Sequence, residues 1–483
     1  MNTLIVAINA KYIHSSLAAR CLAGAVKEFE PKILEFTINT PKDFILGEIF
    51  AAFEPPSGET AKEPAALCLP CYIWNICLVT YLVTVIKKIL PRVKIICGGP
   101  EAAFDPERLL NAGADCVVCG EGEEILPRLL ADLDNLPRVA DGAPLGMDAL
   151  PFAYADDIPK DKIIYYESSR GCPFRCKYCL SPATGGLRFL PLPRVLDELK
   201  IFLVTRVKQV KFVDRTFNAD KSRALAIWKF LIENTNGLTN FHFEISADLL
   251  DSEALAVLRA APKGLFQFEI GVQSTHEITL EIIDRHANFE KLAENVRAVH
   301  AFGNIHQHLD LIAGLPGENL AAFRKSFDDV FALEPEQLQL GFLKLLKGSA
   351  LRAEAGELGI VAQDEAPYEV LYTRELSYAD LRLLKGVEQM VETFYNSGMS
   401  AKTLKFLLER EDLPFDFFVR LWKFYKAGGY DKVSQSKQTV FKILYEFADR
   451  ADEVKDLLRE DFLTREYQKY LPDWLKMPAE MAR

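Results

Sequence analysis

Strand-like and helix-like stretches alternate twice along this chain, and that alternation restricts its fold more than any other feature. In residues 1–135, apolar runs at 3–9, 33–36, 66–71, 94–97 and 116–119 are interleaved with helical patterns at 16–29, 76–90, 106–112 and 123–133. Strands that return through a helix pair in parallel, and the helices then cover both faces of the sheet. The expectation is an α/β fold with a doubly wound, Rossmann-like parallel sheet, which takes ligands at the carboxyl ends of its strands beside a topological switch point. In residues 163–365 the pattern returns, with strands expected at 163–167, 210–213, 241–245, 266–271, 307–312 and 338–343 and helices between them. Six such units predict a partial (βα)6 TIM-type barrel, again with chemistry at the carboxyl ends.

The remaining segments carry weaker patterns. Residues 136–162 contain Pro137, Pro144, Pro151 and Pro159 and read as a linker on the surface, and 54–64 reads as a surface loop. Residues 366–483 predict a helical domain, with Gly428-Gly429 as a helix stop. Its dense aromatics, Phe415, Phe417, Phe418, Trp422, Phe424 and Tyr425, read as helix core packed over the barrel, with a substrate lid or membrane attachment as alternatives. No internal repeat is evident.

After the first barrel strand comes Gly171-Cys172-Pro173-Phe174-Arg175-Cys176-Lys177-Tyr178-Cys179. Cys172, Cys176 and Cys179 have the spacing C-x3-C-x2-C, which lets one short loop place three thiolates on three corners of a cubic iron–sulfur cluster. Such clusters normally take four cysteines, so one iron is left open to bind a reactant. The alternatives are a zinc site or three buried thiols. Zinc favours paired C-x2-C elements closed by four ligands. Two such pairs do occur, Cys68/Cys71 and Cys116/Cys119. They fall in apolar strands where neighbouring side chains face opposite ways, and they read as buried thiols.

Composition narrows the function classes. The 483 residues suffice for two or three domains, and 49% apolar with 26% charged content describes a globular chain. A net charge of −11 argues against a broad grip on nucleic acid. Residues 1–10 run straight into a strand pattern, so no export signal is expected. Ten cysteines then point to thiols or metal ligands in a reducing cytoplasm. The uncharged stretch 65–86 is long enough to span a bilayer, but Pro70 and Asn75 interrupt it. It reads as a buried strand followed by a helix, with no membrane span.

Polar residues stand at the barrel strand ends: Asp214 and Asn218, Glu244, Glu269 and Gln273, and Asp310 before Gly314-Leu315-Pro316-Gly317-Glu318. They are candidate ligand contacts, with helix caps or interstrand pairs as the alternative for each. In the first segment, Gly98-Gly99-Pro100-Glu101 and Gly120-Glu121-Gly122-Glu123 follow consecutive strands, and Cys71-Tyr72-Ile73-Trp74-Asn75 follows an earlier one. Small residues there let backbone approach a large flat ligand. Neither glycine turn is the G-x-G-x-x-G dinucleotide fingerprint.

The cysteine motif with its aromatic neighbour resembles that of the radical S-adenosylmethionine enzymes. The match extends through 266–274, Arg285 and 310–318, and is similar to the methylthiotransferase and cobalamin-dependent branch. The resemblance implies a [4Fe–4S] cluster on Cys172, Cys176 and Cys179. It also implies S-adenosylmethionine contacts from Tyr178, near the adenine, and from Asp214, Glu244, Gln273, Arg285, Asp310 and Gly314. The N-terminal segment resembles the cobalamin-binding domain found upstream of many such enzymes. That implies Tyr72, Trp74 and Asn75 near the corrin, and Gly98, Gly99, Pro100, Glu101, Gly120 and Glu121 along the nucleotide tail. The D-x-H-x-x-G motif of other cobalamin proteins is absent, and the domain's one histidine, His14, lacks its Asp and Gly.

What the resemblance implies for activity is reductive cleavage of S-adenosylmethionine to a 5′-deoxyadenosyl radical and methylation of an unactivated carbon in a small molecule or peptide. A reductant such as flavodoxin or ferredoxin would supply electrons, and no acid or base residue is assigned. Radical rearrangement or oxidation with the same cofactors, methylthiotransferase-like RNA modification, and a cobalamin or redox sensor remain as alternatives.

Overall fold

The computed structural model describes residues 2–54, 65–465 and 470–476. The predicted surface loop at 54–64 lies, but for Glu54, outside the described residues. The first sheet has six parallel strands: β1 (Asn2–Asn9), β2 (Lys32–Thr37), β3 (Ala65–Pro70), β4 (Lys94–Gly98), β5 (Cys116–Gly120) and β6 (Val139–Gly142). Their order is β2-β1-β3-β4-β5-β6, so the chain changes direction across the sheet between β1 and β3. Alternation builds two cores on the two faces. Leu4, Val6 and Ile8 pack under helices Lys42–Phe53 and Ile76–Ile89, while Ile5 and Ala7 pack under Leu17–Ala25 and Gly122–Ala131. Stretch 65–86 is β3 and most of the helix that follows it. Among the described residues no helix is long and apolar enough to cross a membrane.

The stretch read as a linker is more than a surface connection. It supplies β6 and buries Met147, Leu150 and Tyr154 in the barrel core. Its proline and glycine content masked a four-residue edge strand, where neither residue type is excluded.

The second sheet contains β7 (Ile164–Tyr166), and a small antiparallel pair follows, β8 (Ser169–Arg170) with β9 (Arg188–Phe189). The sheet continues with β10 (Gln209–Phe212), β11 (Asn240–Ile245), β12 (Phe266–Gln273), β13 (His306–Ala313) and β14 (Gln337–Phe342), all parallel and in simple sequential order. One side of each strand is buried, and in β10, β11 and β12 it is aromatic. Phe212, Phe243 and Phe268 pack outward, with Trp228 of helix Lys221–Glu233 against Phe217, Phe243 and Phe268. Helices start where a short polar side chain follows the strand. Asp220, Asp251, Asn288 and Asn319 each accept a backbone N–H of the first turn.

The C-terminal helices share the barrel's core. Phe415 and Phe418 of helix Pro414–Ala427 pack edge-on against Phe327 of the barrel helix Leu320–Phe331, and Gly428 ends the helix. Trp422 and Phe424 of the same helix are only partly buried.

One buried carboxyl lies behind the strand ends. Glu318 is fully buried, one oxygen accepts Ser274 Oγ (2.6 Å) and Ser326 Oγ (2.9 Å), and the other has no partner among the described residues. Burial pushes its pKa up to about 7, against the pull of the two serines. A carboxyl raised on folding stabilises most below its ordinary value of 4.5 and loses that contribution as pH rises through 7. The difference is worth about 3 kcal/mol at alkaline pH. Glu318→Gln is therefore expected to match the wild type in thermal unfolding near pH 4.5 and to exceed it at pH 8.5, measured by melts across that range.

Candidate active site

The three cysteines line one cavity of about 240 Å³ at the carboxyl ends of the barrel strands. Cys176 is buried, with Arg285 Nη1 3.7 Å from its sulfur, and burial raises its thiol pKa against the pull of that guanidinium. Cys172 Sγ lies 3.7 Å from Thr216 Oγ1, and Cys179 Sγ accepts the Ser181 N–H at 3.4 Å. Donors around sulfur suit thiolates, as an iron–sulfur cluster requires. Among the described residues no three His, Cys, Asp or Glu side chains meet closely enough to hold a single ion.

The same cavity is lined by Tyr178, Glu244, Gln273, Arg285 and Asp310, all named from the sequence. Arg285 is fixed in place: it donates to Tyr178 Oη (3.2 Å) and to the Gly271 carbonyl. Gly271 leaves room for Gln273, which has φ +72° and folds back so that a Cβ on residue 271 would stand 2.3 Å from its amide nitrogen. Among the described residues Gln273 Oε1 has no hydrogen-bond partner, and Glu244 lines the same cavity. Burial pushes the Glu244 carboxyl up to about 7 against Arg215, with Glu269 adding to the rise.

Asp214 and Gly314 do not line the cavity. Asp214 is buried and accepts the N–H groups of Ser168 (2.8 Å) and Ser169 (3.1 Å) and the Ser168 hydroxyl (2.5 Å). It thus pins the chain just before the cysteine loop. Gly314 has φ +90°, and a Cβ there would meet Val370 at 2.6 Å, so it makes room for the C-terminal segment. Asn218 brackets Ser246 through backbone bonds of 2.8 and 2.9 Å. The interstrand alternative describes these groups.

Of the polar interior at and beneath the cavity, the sequence reading named Glu269, which lines the cavity, and missed Lys211, His242 and His308. Lys211, His242, Glu269 and His308 come from four adjacent strands on two neighbouring rungs: Lys211 is in register with His242, and Glu269 with His308. Lys211 Nζ bonds Glu269 at 2.7 Å, and His242 Nε2 lies 3.1 Å from the same oxygen. Burial alone would raise Glu269, but His242 and Lys211 outweigh it and hold the carboxyl well below the usual range. Lys211, His242 and Glu269 each sit between buried apolar neighbours, as in Phe241-His242-Phe243, while His308 sits between the buried Gln307 and Leu309. That period of two was the available signal.

In the N-terminal domain the predicted residues divide. Tyr72 and Trp74 stack face to face (4.5 Å, 5°) beside the switch point, and Trp74 is 45% exposed while its Nε1 donates to the Ile8 carbonyl. In the turn Gly98-Gly99-Pro100, Pro100 is exposed and the two glycines are half-buried. Gly99 has φ +101°, and a Cβ there would meet the Cys71 carbonyl at 2.7 Å. Gly120 (φ +91°) similarly faces Gly142, 2.4 Å from its carbonyl. Both glycines therefore serve first to let backbones approach one another. Asn75 is buried, its amide spent on Ile8, Pro70 and Tyr72 backbone. Glu101 is buried and accepts the Tyr368 hydroxyl (2.6 Å), and Glu121 accepts from Arg188. His14 meets the barrel's Tyr165 hydroxyl at 3.2 Å. Cys68 and Cys116 face one core while Cys71 and Cys119 face the other, so the four sulfurs cannot share an ion.

Comparison with known proteins divides the chain in the same order. Residues 3–130 match the family model of the B12 binding domain, 166–330 that of the radical SAM superfamily, and 356–482 that of a protein of unknown function, DUF4080. The 2-(S-pantetheinyl)-carbapenam-3-carboxylate methyltransferase of Streptantibioticus cattleyicolor is 25% identical over 76% of this chain and 62% of its own length. The cobalamin-dependent radical SAM methyltransferase TokK of Streptomyces tokunonensis is 27% identical over 60% of this chain and 48% of its own. The chain thus spans about half to three fifths of the length of these curated relatives. The solved structure of TsrM from Kitasatospora setae with cobalamin and [4Fe–4S] cluster bound aligns at TM-score 0.59 and 15% identity, covering 76% of this chain and 79% of TsrM. The cobalamin-dependent radical enzyme OxsB aligns at 0.61 and 13%, covering 96% and 79%. These two establish a shared fold.

The lumen pair is open to a direct test. Removing Lys211 leaves the largely buried Glu269 carboxylate to His242, at a cost of up to about 3 kcal/mol. Lys211→Met is expected to lower stability by that order, and the double variant Lys211→Met/Glu269→Gln to recover most of it. Urea unfolding of the four forms gives the coupling; strictly additive losses would contradict it.

Proposed function

We propose, from the premise that this chain is a radical SAM superfamily protein with a B12 binding domain ahead of its barrel and a DUF4080 region behind, that it is a cobalamin-dependent methyltransferase. On this reading it cleaves S-adenosylmethionine reductively and methylates an unactivated carbon of a small molecule or peptide. The observation that carries it is the convergence of Cys172, Cys176 and Cys179 with Tyr178, Arg285, Glu244 and Asp310 on one cavity at the strand ends. Its cofactors are those of the two domains: a [4Fe–4S] cluster, S-adenosylmethionine and cobalamin. When bound, they supply the electron that breaks a sulfonium bond and a transferable methyl group.

The chain's own residues hold and orient. The three cysteines would ligate the cluster. Glu244, Gln273 and Asp310 offer acceptors for the amino and ribose groups of S-adenosylmethionine, and the immobilised Arg285 and Tyr178 shape the wall beside Cys176. Phe174, Pro182 and Ile245 keep that wall partly apolar, which limits water where a radical would form. Tyr72, Trp74 and the turn Gly98-Gly99-Pro100 would receive the corrinoid, in a domain that extends through β6. The reductant, flavodoxin or ferredoxin in an oxygen-poor cytoplasm, belongs to the same proposal.

Anaerobic reconstitution with iron, sulfide and a corrinoid tests it. Expected are a four-iron cluster, bound corrinoid, and reductant-dependent release of 5′-deoxyadenosine and S-adenosylhomocysteine, with Cys176→Ala reduced to background in both iron content and cleavage. A chain that binds the cluster but no corrinoid would remove the methyltransferase reading.

A further inference from the structure

Two arginines stand at the neck of the cysteine loop. Arg170 of β8 pairs with Arg188 of β9, so residues 171–187, with all three cysteines, form the loop that this pair closes. The neck is tight: Gly171 has φ +98°, and a Cβ there would stand 2.0 Å from the Gly186 carbonyl.

Both arginines reach out of the barrel to the N-terminal domain. Glu121 accepts from Arg188, lies 3.0 Å from Arg170 Nη1 and accepts the Leu145 N–H at 3.0 Å. Arg170 Nη2 donates to Glu123 (2.9 Å), and its Nε and Nη2 donate to Glu167 (3.1 and 2.7 Å). The side chains of Arg170, Glu121 and Glu123 are only 9–16% exposed, unlike a surface pair worth little. Guanidinium forks used on several carboxylates at once fix orientation as well as distance. The far anchor is stiff too, because the turn at Gly120 and Glu121 is pressed against Gly142, where a Cβ would meet the Glu121 carbonyl at 2.0 Å.

We infer that Glu121 and Glu123 are positioning residues for the cysteine loop, held on Arg170 and Arg188, so that the iron–sulfur site is complete only with the N-terminal domain docked. The inference rests on the cluster reading above. It gives the turn Gly120-Glu121-Gly122-Glu123 a task separate from any contact with a nucleotide tail.

The test compares wild type, Glu121→Gln, Glu123→Gln, Arg170→Lys and, as control, Glu124→Gln, whose carboxylate pairs among the described residues with Arg128 on the same helix. Each full-length chain is melted before reconstitution, then assayed for iron and sulfide content, for the rate of iron loss to a chelator, and for the reduced cluster's electron paramagnetic resonance with and without S-adenosylmethionine. Expected is iron loss about tenfold faster in Glu121→Gln and Arg170→Lys, a smaller rise in Glu123→Gln, altered spectra in all three, and wild-type behaviour in Glu124→Gln. Should Glu121→Gln fail to fold, Glu123→Gln decides, since it leaves Glu121 and Glu167 on Arg170. A four-iron wild type whose variants all lose iron at the wild-type rate with unchanged spectra would overturn this inference alone. A wild type that takes up no iron would overturn it together with the cluster reading.

Discussion

Parallel pairing is the constraint from which the rest of this molecule follows. A strand that returns through a helix must end on the same edge as its neighbours, so every turn that can carry chemistry is gathered at the carboxyl ends. In both sheets those turns hold the polar and glycine-rich sequences, and they meet each other. The turn after β5 reaches the cysteine loop through Glu121, and the turn after β4 reaches the C-terminal segment through Glu101 and Tyr368. The two sheets therefore share a seam lined by turns.

The seam and the barrel lumen hold many charges out of water, and they are tolerated because they are paired. Lys211 and His242 flank Glu269, His308 lies 3.0 Å from Asp310, and Arg170 serves three carboxylates. Replacing such groups by apolar ones of equal volume need not weaken a fold, so their presence points toward orientation more than stability. Around the lumen, the phenylalanine and tryptophan packing on the outer side of the strands supplies the burial that keeps the wall rigid. Among the described residues, Glu244 differs from Glu269 and Asp310 in having no hydrogen-bond or ion-pair partner, and it lines the cavity.

Much of the site was legible because its signals are local. Three cysteines within eight residues declare their loop, and polar residues after apolar runs declare strand ends. Five of the seven side chains or glycines named around the cavity do line it. Asp214 and Gly314 stand away from it for one reason: an acid or a glycine at a strand end serves backbone closure as readily as it serves a ligand. Glu101, Glu121 and Asn75 divided from Tyr72 and Trp74 in the same way. The edge strand β6 was hidden by the prolines and glycines around it, and the Lys211–Glu269 pair by the 58 residues between its partners.

The amino-acid sequence by itself determined the alternation, hence parallel sheets, and the cysteine spacing, hence a loop able to hold three corners of a cluster. Both depend only on neighbours along the chain. Tertiary structure alone decided which acids face the cavity and which fasten one domain to the other. A carboxylate's role depends on the donors that reach it, and for Glu121 those arrive from Arg170 and Arg188, beyond any local pattern.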